Sequence, residues 1–298
     1  MIPEEHDALQ LQSTSHATSP ATEADPHEES APTTLPRVRP TGEPRGIKRF
    51  VSALVIIAGV VVWQLLTMFH LFSPVVLPSP LSVLQDLQTL LTNGFVGKTL
   101  FDDIWASTFR IVIGFVAAVV IGVPVGILMA RSNTIFQIID PFLQFIRPVP
   151  PLAYIPLLVV WLGINELPKI VLILIGTLPI IIISTVSGVR STPIQRIRVA
   201  QCLGATPLQL FRYTILPSAL PEIFTGMRVG IGIAWSCLVA AELIAADVGL
   251  GWLVQYAGQQ LQVGVIFVGI IAIGILGYAM ELIIRGLEKL AVPWKSHA

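Results

Sequence analysis

Six apolar stretches, each long enough to cross a bilayer as a helix, constrain this 298-residue chain more than any other feature. Crossing the hydrocarbon core takes about 20 helical residues. The stretches fall near residues 50–69, 109–130, 138–162, 170–188, 225–246 and 263–285. Strands of a membrane barrel would alternate apolar and polar residues, and these runs do not. Inside lipid a segment must satisfy its own backbone hydrogen bonds, which a helix does. The expected fold is therefore an all-α membrane protein with six transmembrane helices. Composition agrees, with 12% charged residues and a mean hydropathy of +0.79. A soluble domain of this length carries roughly twice that charged fraction.

The formal net charge of zero conceals a polar tail on an oily body. Eight of the eighteen acids (Glu4, Glu5, Asp7, Glu23, Asp25, Glu28, Glu29, Glu43) precede residue 45. Residues 1–44 are rich in Ser, Thr, Pro, Glu and His and contain no aromatic residue. Such a segment buries too little apolar surface to offset its ordering entropy, so disorder is expected. It is either a variable extension or a regulatory arm. No small-residue cleavage site follows the first apolar run, which is expected to stay as a span. The apolar body then covers residues 45–298. Cys202 and Cys237 form no CxxC pair and no Cys/His cluster, so no metal site is expected.

Basic residues set the orientation. Arg37, Arg39, Arg45, Lys48 and Arg49 precede the first span, Arg131 follows the second, and Arg190, Arg196, Arg198 and Arg212 fill the loop after the fourth. Arg285, Lys289 and Lys295 follow the sixth, while the opposite side offers Lys98, Lys169 and Arg110. Both termini are thus expected in the cytoplasm. In the outer loop, Pro78-Ser79-Pro80 leads into Leu81, Leu84, Leu87, Leu90 and Leu91, the spacing of an amphipathic helix ended by Asn93-Gly94.

Two motifs have plain explanations. Gly97-Lys98-Thr99 ends like a phosphate-binding loop, but Thr92 stands where the first glycine belongs, and no strand precedes it. Gly122/Gly126 and Gly226/Gly230 are small-xxx-small pairs, which let helix backbones approach.

Residues 190–222 carry the most information. A first short helix is expected from Pro193 towards Leu203, stopping at Gly204. Thr206-Pro207 supplies an N-cap and a first-turn proline for a second. Leu208, Phe211 and Ile215 share one face of it, and Leu216-Pro217 is expected to end it. Such a pair either docks on a partner or lies in the lipid interface.

The segment Val199-Ala200-Gln201-Cys202-Leu203-Gly204-Ala205, followed by Leu216-Pro217, resembles the signature loop of binding-protein-dependent ABC importer permeases. That signature reads Glu-Ala-Ala, three residues, Gly, nine residues, Ile, any residue, Leu-Pro. Ala200, Gly204, Leu216 and Pro217 match it, whereas Arg198, Val199 and Thr214 replace its Glu, first Ala and Ile. The resemblance implies a type I permease whose loop, with Ala200, Leu203, Gly204, Ala205, Thr206, Pro207, Leu208, Phe211, Leu216 and Pro217, couples to a separate ATPase. It further implies two ATPase subunits, an extracytoplasmic solute-binding protein, a second permease copy and surrounding inner-membrane lipid, with no nucleic acid. The chain itself would bind no cofactor, because ATP and Mg belong to the ATPase. Arg147-Pro148-Val149-Pro150-Pro151-Leu152-Ala153, Trp161-Leu162-Gly163, Trp235-Ser236 and the run 238–246 are similar to the branch serving taurine, alkanesulfonates, nitrate and bicarbonate, its taurine members especially. Import of taurine or another organosulfonate is the implied function.

Six residues are candidates for the translocation pathway: Arg147, Pro150, Pro151, Trp235, Ser236 and Glu242. Ionisable groups at membrane depth are functional candidates by default. Arg147 either attracts an anion at a proline-rich break or marks the edge of the span. Glu242 either lines an exit gate or recognises an amine, or else forms a structural ion pair with Arg110. Trp235 is cavity wall or helix core, and Arg228 is an interface anchor. A secondary transporter would show more intramembrane carboxylates and an inverted repeat. An enzyme would need convergent His, Asp, Cys or Ser groups, yet four of the five His residues lie in the tails and His70 stands alone at a loop.

Overall fold

The computed structural model describes residues 45–69, 73 and 76–294, with the side chains of 45–53 and 56 outside the description. The expected disordered tail, 1–44, lies outside the described residues. Eleven α-helices follow in order among the described residues: α1 (Arg45–Met68), α2 (Pro80–Thr92), α3 (Leu100–Arg131), α4 (Asn133–Ile146), α5 (Ile155–Leu162), α6 (Glu166–Arg190), α7 (Ile194–Cys202), α8 (Pro207–Leu210), α9 (Leu216–Ala245), α10 (Leu250–Gln259) and α11 (Val263–Ala291). The described residues from Ala53 onward pack as one compact unit.

Four helical runs are long and apolar enough to cross a membrane: α3, α6, the continuous run Pro207–Ala245, and α11. The expected third span, 138–162, needs correction. It is a bent pair, α4 followed by Pro151–Leu162, meeting at 90°. Pro148, Pro150 and Pro151 lack the N–H that would continue the ladder, and each disfavours helix in the residue before it. Counted as one span, the pair brings the total to five. The expected first span falls within α1, whose described side chains include Leu54 and Val55, 55% and 65% exposed.

The core is a stack of three helices, with α6 packed along both α3 and α9. Lipid tails are as apolar as leucine, so burial here gains close contact, not dehydration. Small residues supply the contact. A Cβ on Gly122 would come within 2.9 Å of Ile181, and one on Gly126 within 2.6 Å of Thr185. Gly226 faces Ser184 of α6 in the same way. Around these seams Ile111, Ala118, Leu172, Ile173, Ala234 and Leu238 are fully buried.

The outer-loop helix forms where its caps place it. Ser79 accepts the Ser82 N–H at 3.1 Å, Pro80 occupies the first turn, and Val83 and Leu90 are buried against α10 and α11. Leu87 packs against the same cluster, while Leu81 and Leu84 face outward at 61% exposure each. Gly97-Lys98-Thr99 closes a tight turn, and Thr99 forms a capping box with Asp102 at the start of α3. The turn starts a helix.

Candidate functional site

Three places concentrate polar or exposed groups that lipid burial would exclude. The first is the elbow between α4 and α5. Arg147 caps α4 through its N–H to the Leu143 carbonyl, at 3.1 Å, and is exposed. Pro151–Tyr154 then make one tight 3-10 turn before α5. With Val149, Pro151, Tyr154, Gly176 and Ile233, Arg147 lines a cavity of about 280 Å³. The lining contains no carboxylate, so one cation faces an otherwise apolar and neutral wall. Pro150 is exposed beside it.

The remaining pathway candidates lie elsewhere. Trp235 belongs to the core, 7% exposed, and rests against Gly277 of α11. Ser236 is exposed, with its hydroxyl donating to the Gly232 carbonyl at 3.2 Å. Glu242 lines no open path. It is 1% exposed, and its carboxylate accepts from the Ser107 hydroxyl at 2.7 Å, the Arg110 guanidinium at 2.7 Å and the Gly251 N–H at 2.8 Å. The ion-pair alternative is the arrangement present.

That pair is part of the second place, a buried network joining α3, α6, α9 and the turn before α10. Arg110, 1% exposed, also grips Glu166 through Nε and, at 2.9 Å, through Nη2, and it donates to the Val248 carbonyl at 2.7 Å. Lys169 closes on Glu166 at 3.0 Å, and Asp103 accepts the Gly249 N–H at 2.8 Å. A fork-shaped guanidinium suits this task because it offers five donors in a fixed plane. Glu166 and Lys169 escaped the sequence reading because a loop edge in an apolar sequence looks like ordinary solvated surface. Arg228 is no lone anchor either, since it lies 3.5 Å from Glu281 and 3.8 Å from Glu288 on α11.

The third place is the arm 190–217. α7 stops at Cys202, and Gly204 turns the chain at φ +77°, a left-handed conformation that favours glycine. Thr206 and Gln209 form a full capping box at the start of α8. One expectation fails here: Leu216-Pro217 does not end the second helix. Phe211–Ile215 make a π-turn in which the Leu216 N–H donates to the Phe211 carbonyl, five residues back. The wider turn accommodates Pro217, which has no N–H, and the helix runs straight on into α9. Leu203, Leu208 and Val199 project from the arm at 82%, 72% and 59% exposure, while Ala200 and Ala205 are half-buried.

A bundle of apolar helices with a cation at its elbow, a largely buried ionic network and an exposed helical arm fits a multi-pass membrane subunit. The chain belongs to the family of binding-protein-dependent transport system inner membrane components, whose model matches residues 122–295. It is 47% identical over 234 residues to the taurine transport system permease protein of Escherichia coli (strain K12), covering 78% of this chain and 85% of that one. It is 34% identical over 255 residues to the nitrate import permease protein of Synechocystis sp. (strain ATCC 27184 / PCC 6803 / Kazusa), covering 84% and 90%. Among solved structures, the MetNI methionine ABC transporter in an inward-facing form shares the fold at a TM-score of 0.57 and 19% identity, over 70% of this chain and 98% of that one. The protein is an ABC importer permease for a small solute, a transport subunit and not an enzyme.

Proposed function

We propose that the solute is a small organic anion, taurine or another organosulfonate foremost, imported across the inner membrane. The observation that carries this reading is the single cation, Arg147, on a carboxylate-free cavity at the elbow. A cavity of about 280 Å³ suits a solute of few heavy atoms, near the lower end of ligand-pocket sizes. The similarity to a permease named for taurine supports the same class. Pro150 and Pro151 shape the elbow backbone, Ser236 is a second pathway candidate on α9, and Trp235 packs in the core against α11.

The arm 190–217 is the ATPase-coupling loop in this reading. Leu203 and Leu208 are its contact points, and Gly204, Thr206 and Pro207 hold its bend. Two ATPase subunits carry ATP and Mg, an extracytoplasmic binding protein delivers the solute, and a second copy of the permease completes the path. Both termini lie in the cytoplasm. The test is reconstitution with the co-purifying ATPase and binding protein in proteoliposomes, measuring ATP hydrolysis with taurine, ethanesulfonate, nitrate and bicarbonate. Stimulation by the sulfonates, lost in Arg147→Ala, is expected. Stimulation by nitrate or bicarbonate alone would reject the substrate while keeping the machinery.

A further inference from the structure

The coupling arm departs from its family signature at the position where it should be acidic. Arg198 stands in place of the signature glutamate, and the whole stretch 190–215 contains Arg190, Arg196, Arg198 and Arg212 with no Asp or Glu. Two of these guanidiniums are engaged with aromatic rings of this chain. Arg190 sits 3.9 Å over Phe136, and Arg212 lies 6.0 Å from the Tyr213 ring. Arg196 reaches only the Ser218 hydroxyl, at 3.4 Å. Arg198 is exposed, with no ion-pair partner among the described residues.

Position matters as much as charge. Arg196 precedes Val199 by three residues and Leu203 by seven, so the three share a face of α7 and its end. Val199 and Leu203 are 59% and 82% exposed. The tip therefore presents apolar knobs flanked by cations. The positive-inside rule accounts for the sign of these residues but not for their placement around an exposed apolar tip. A lipid interface would also accept cations and leucines. However, α7 is only nine residues long, and the chain then turns sharply at Gly204, so no continuous amphipathic face lies flat on a bilayer.

Resting on the reading of this arm as the coupling loop, we propose that its ATPase partner presents an acidic groove. Leu203 and Leu208 fill the groove's apolar floor, and Arg196 and Arg198 meet carboxylates on its rim. Charge at the rim of an interface sets register and partner choice more than raw affinity. The substitution of Arg for Glu then makes this permease selective for ATPases of matching charge.

The test measures binding of the purified ATPase to permease in nanodiscs of zwitterionic phosphatidylcholine, at rising salt. Affinity is expected to fall with salt, and Arg198→Glu is expected to weaken it about tenfold or more, with Arg196→Glu behaving alike. Arg198→Lys stays near wild type, as does Lys289→Glu, a control charge at the end of α11. Unchanged melting temperatures show that the variants are folded. A single Asp→Lys or Glu→Lys change on the ATPase that restores binding to Arg198→Glu identifies the carboxylate. Salt-independent binding with a silent Arg198→Glu overturns the acidic groove and leaves the coupling reading intact. An Arg198→Glu effect confined to anionic phosphatidylglycerol nanodiscs assigns the cations to lipid and also overturns it. Wild-type permease that binds no ATPase at all removes the coupling reading itself.

Discussion

Arg110 holds together three segments that are far apart in sequence, and it does so while almost wholly enclosed. Its partners Glu242 and Glu166 neutralise it, and the Val248 carbonyl takes a further donor. Removing Arg110 leaves the buried Glu242 without a counterion, which costs about 3–5 kcal/mol, and removing Glu242 leaves Arg110 with Glu166 alone. Arg110→Leu and Glu242→Leu are each expected to lower the melting temperature in detergent sharply. Glu242→Gln, which keeps an acceptor for Ser107 or Gly251, falls between. The Arg110→Leu/Glu242→Leu double variant should lose less than the sum of the two, because neither orphans the other. Strict additivity would show that the pair is not the energetic unit. Glu242 was visible in the sequence because a carboxylate in an apolar run is conspicuous, and Arg110 was visible as a possible counterion. The full network was not, because Lys169 becomes buried, and half-exposed Glu166 meets Arg110, only when the start of α6 folds back onto α3.

At the scale of elements, local chemistry was read correctly wherever it is local. The Thr206 N-cap, the Ser79-Pro80 start and the Gly204 bend depend on neighbours in sequence and formed as their side chains dictate. What depends on continuity was misread. The proline-rich break after Arg147 was visible but its 90° bend was not, and Leu216-Pro217 reads as a stop although a π-turn carries the helix through it. Two predictions follow from the geometry of the arm. Gly204 has open space around a would-be Cβ, so Gly204→Ala suffers only from its positive φ, about 1–2 kcal/mol. Solute-stimulated ATP hydrolysis should fall while the melting temperature of the bundle stays put; a variant equal to wild type would exclude a bend-dependent coupling. Pro217→Ala restores the missing N–H and allows the π-turn to close into regular helix. Losing that one extra residue rotates α8 by about 100° relative to α9. Such a variant should still assemble with the ATPase yet respond weakly to solute, and a full response would show that the π-turn is dispensable.

For the bundle as a whole, the decisive fact is that the run Pro207–Ala245 is one helix of 39 residues. At 1.5 Å per residue it is about 60 Å long, roughly twice the hydrocarbon thickness. Glu242 and its network sit at one end of it, and the arm with Leu203 and Leu208 begins at the other. The two sites are therefore expected on opposite faces of the membrane, joined by one continuous helical run. Positive charge at 190–212 is the ground on which a cytoplasmic arm is proposed. Native cysteines allow the assignment to be measured, since Cys202 on the arm is exposed and Cys237 is buried. A membrane-impermeant maleimide is expected to label the wild-type chain in inside-out vesicles and to spare it in right-side-out ones. Ile164→Cys in a Cys202→Ser background, at a position 78% exposed beside Glu166, should show the reverse. Labelling of both positions from one side would mean that the long helix does not cross the membrane, and the coupling geometry would fall with it. Opposite sidedness with inverted sign would keep the span and reverse the orientation, placing the arm where no ATPase can reach it.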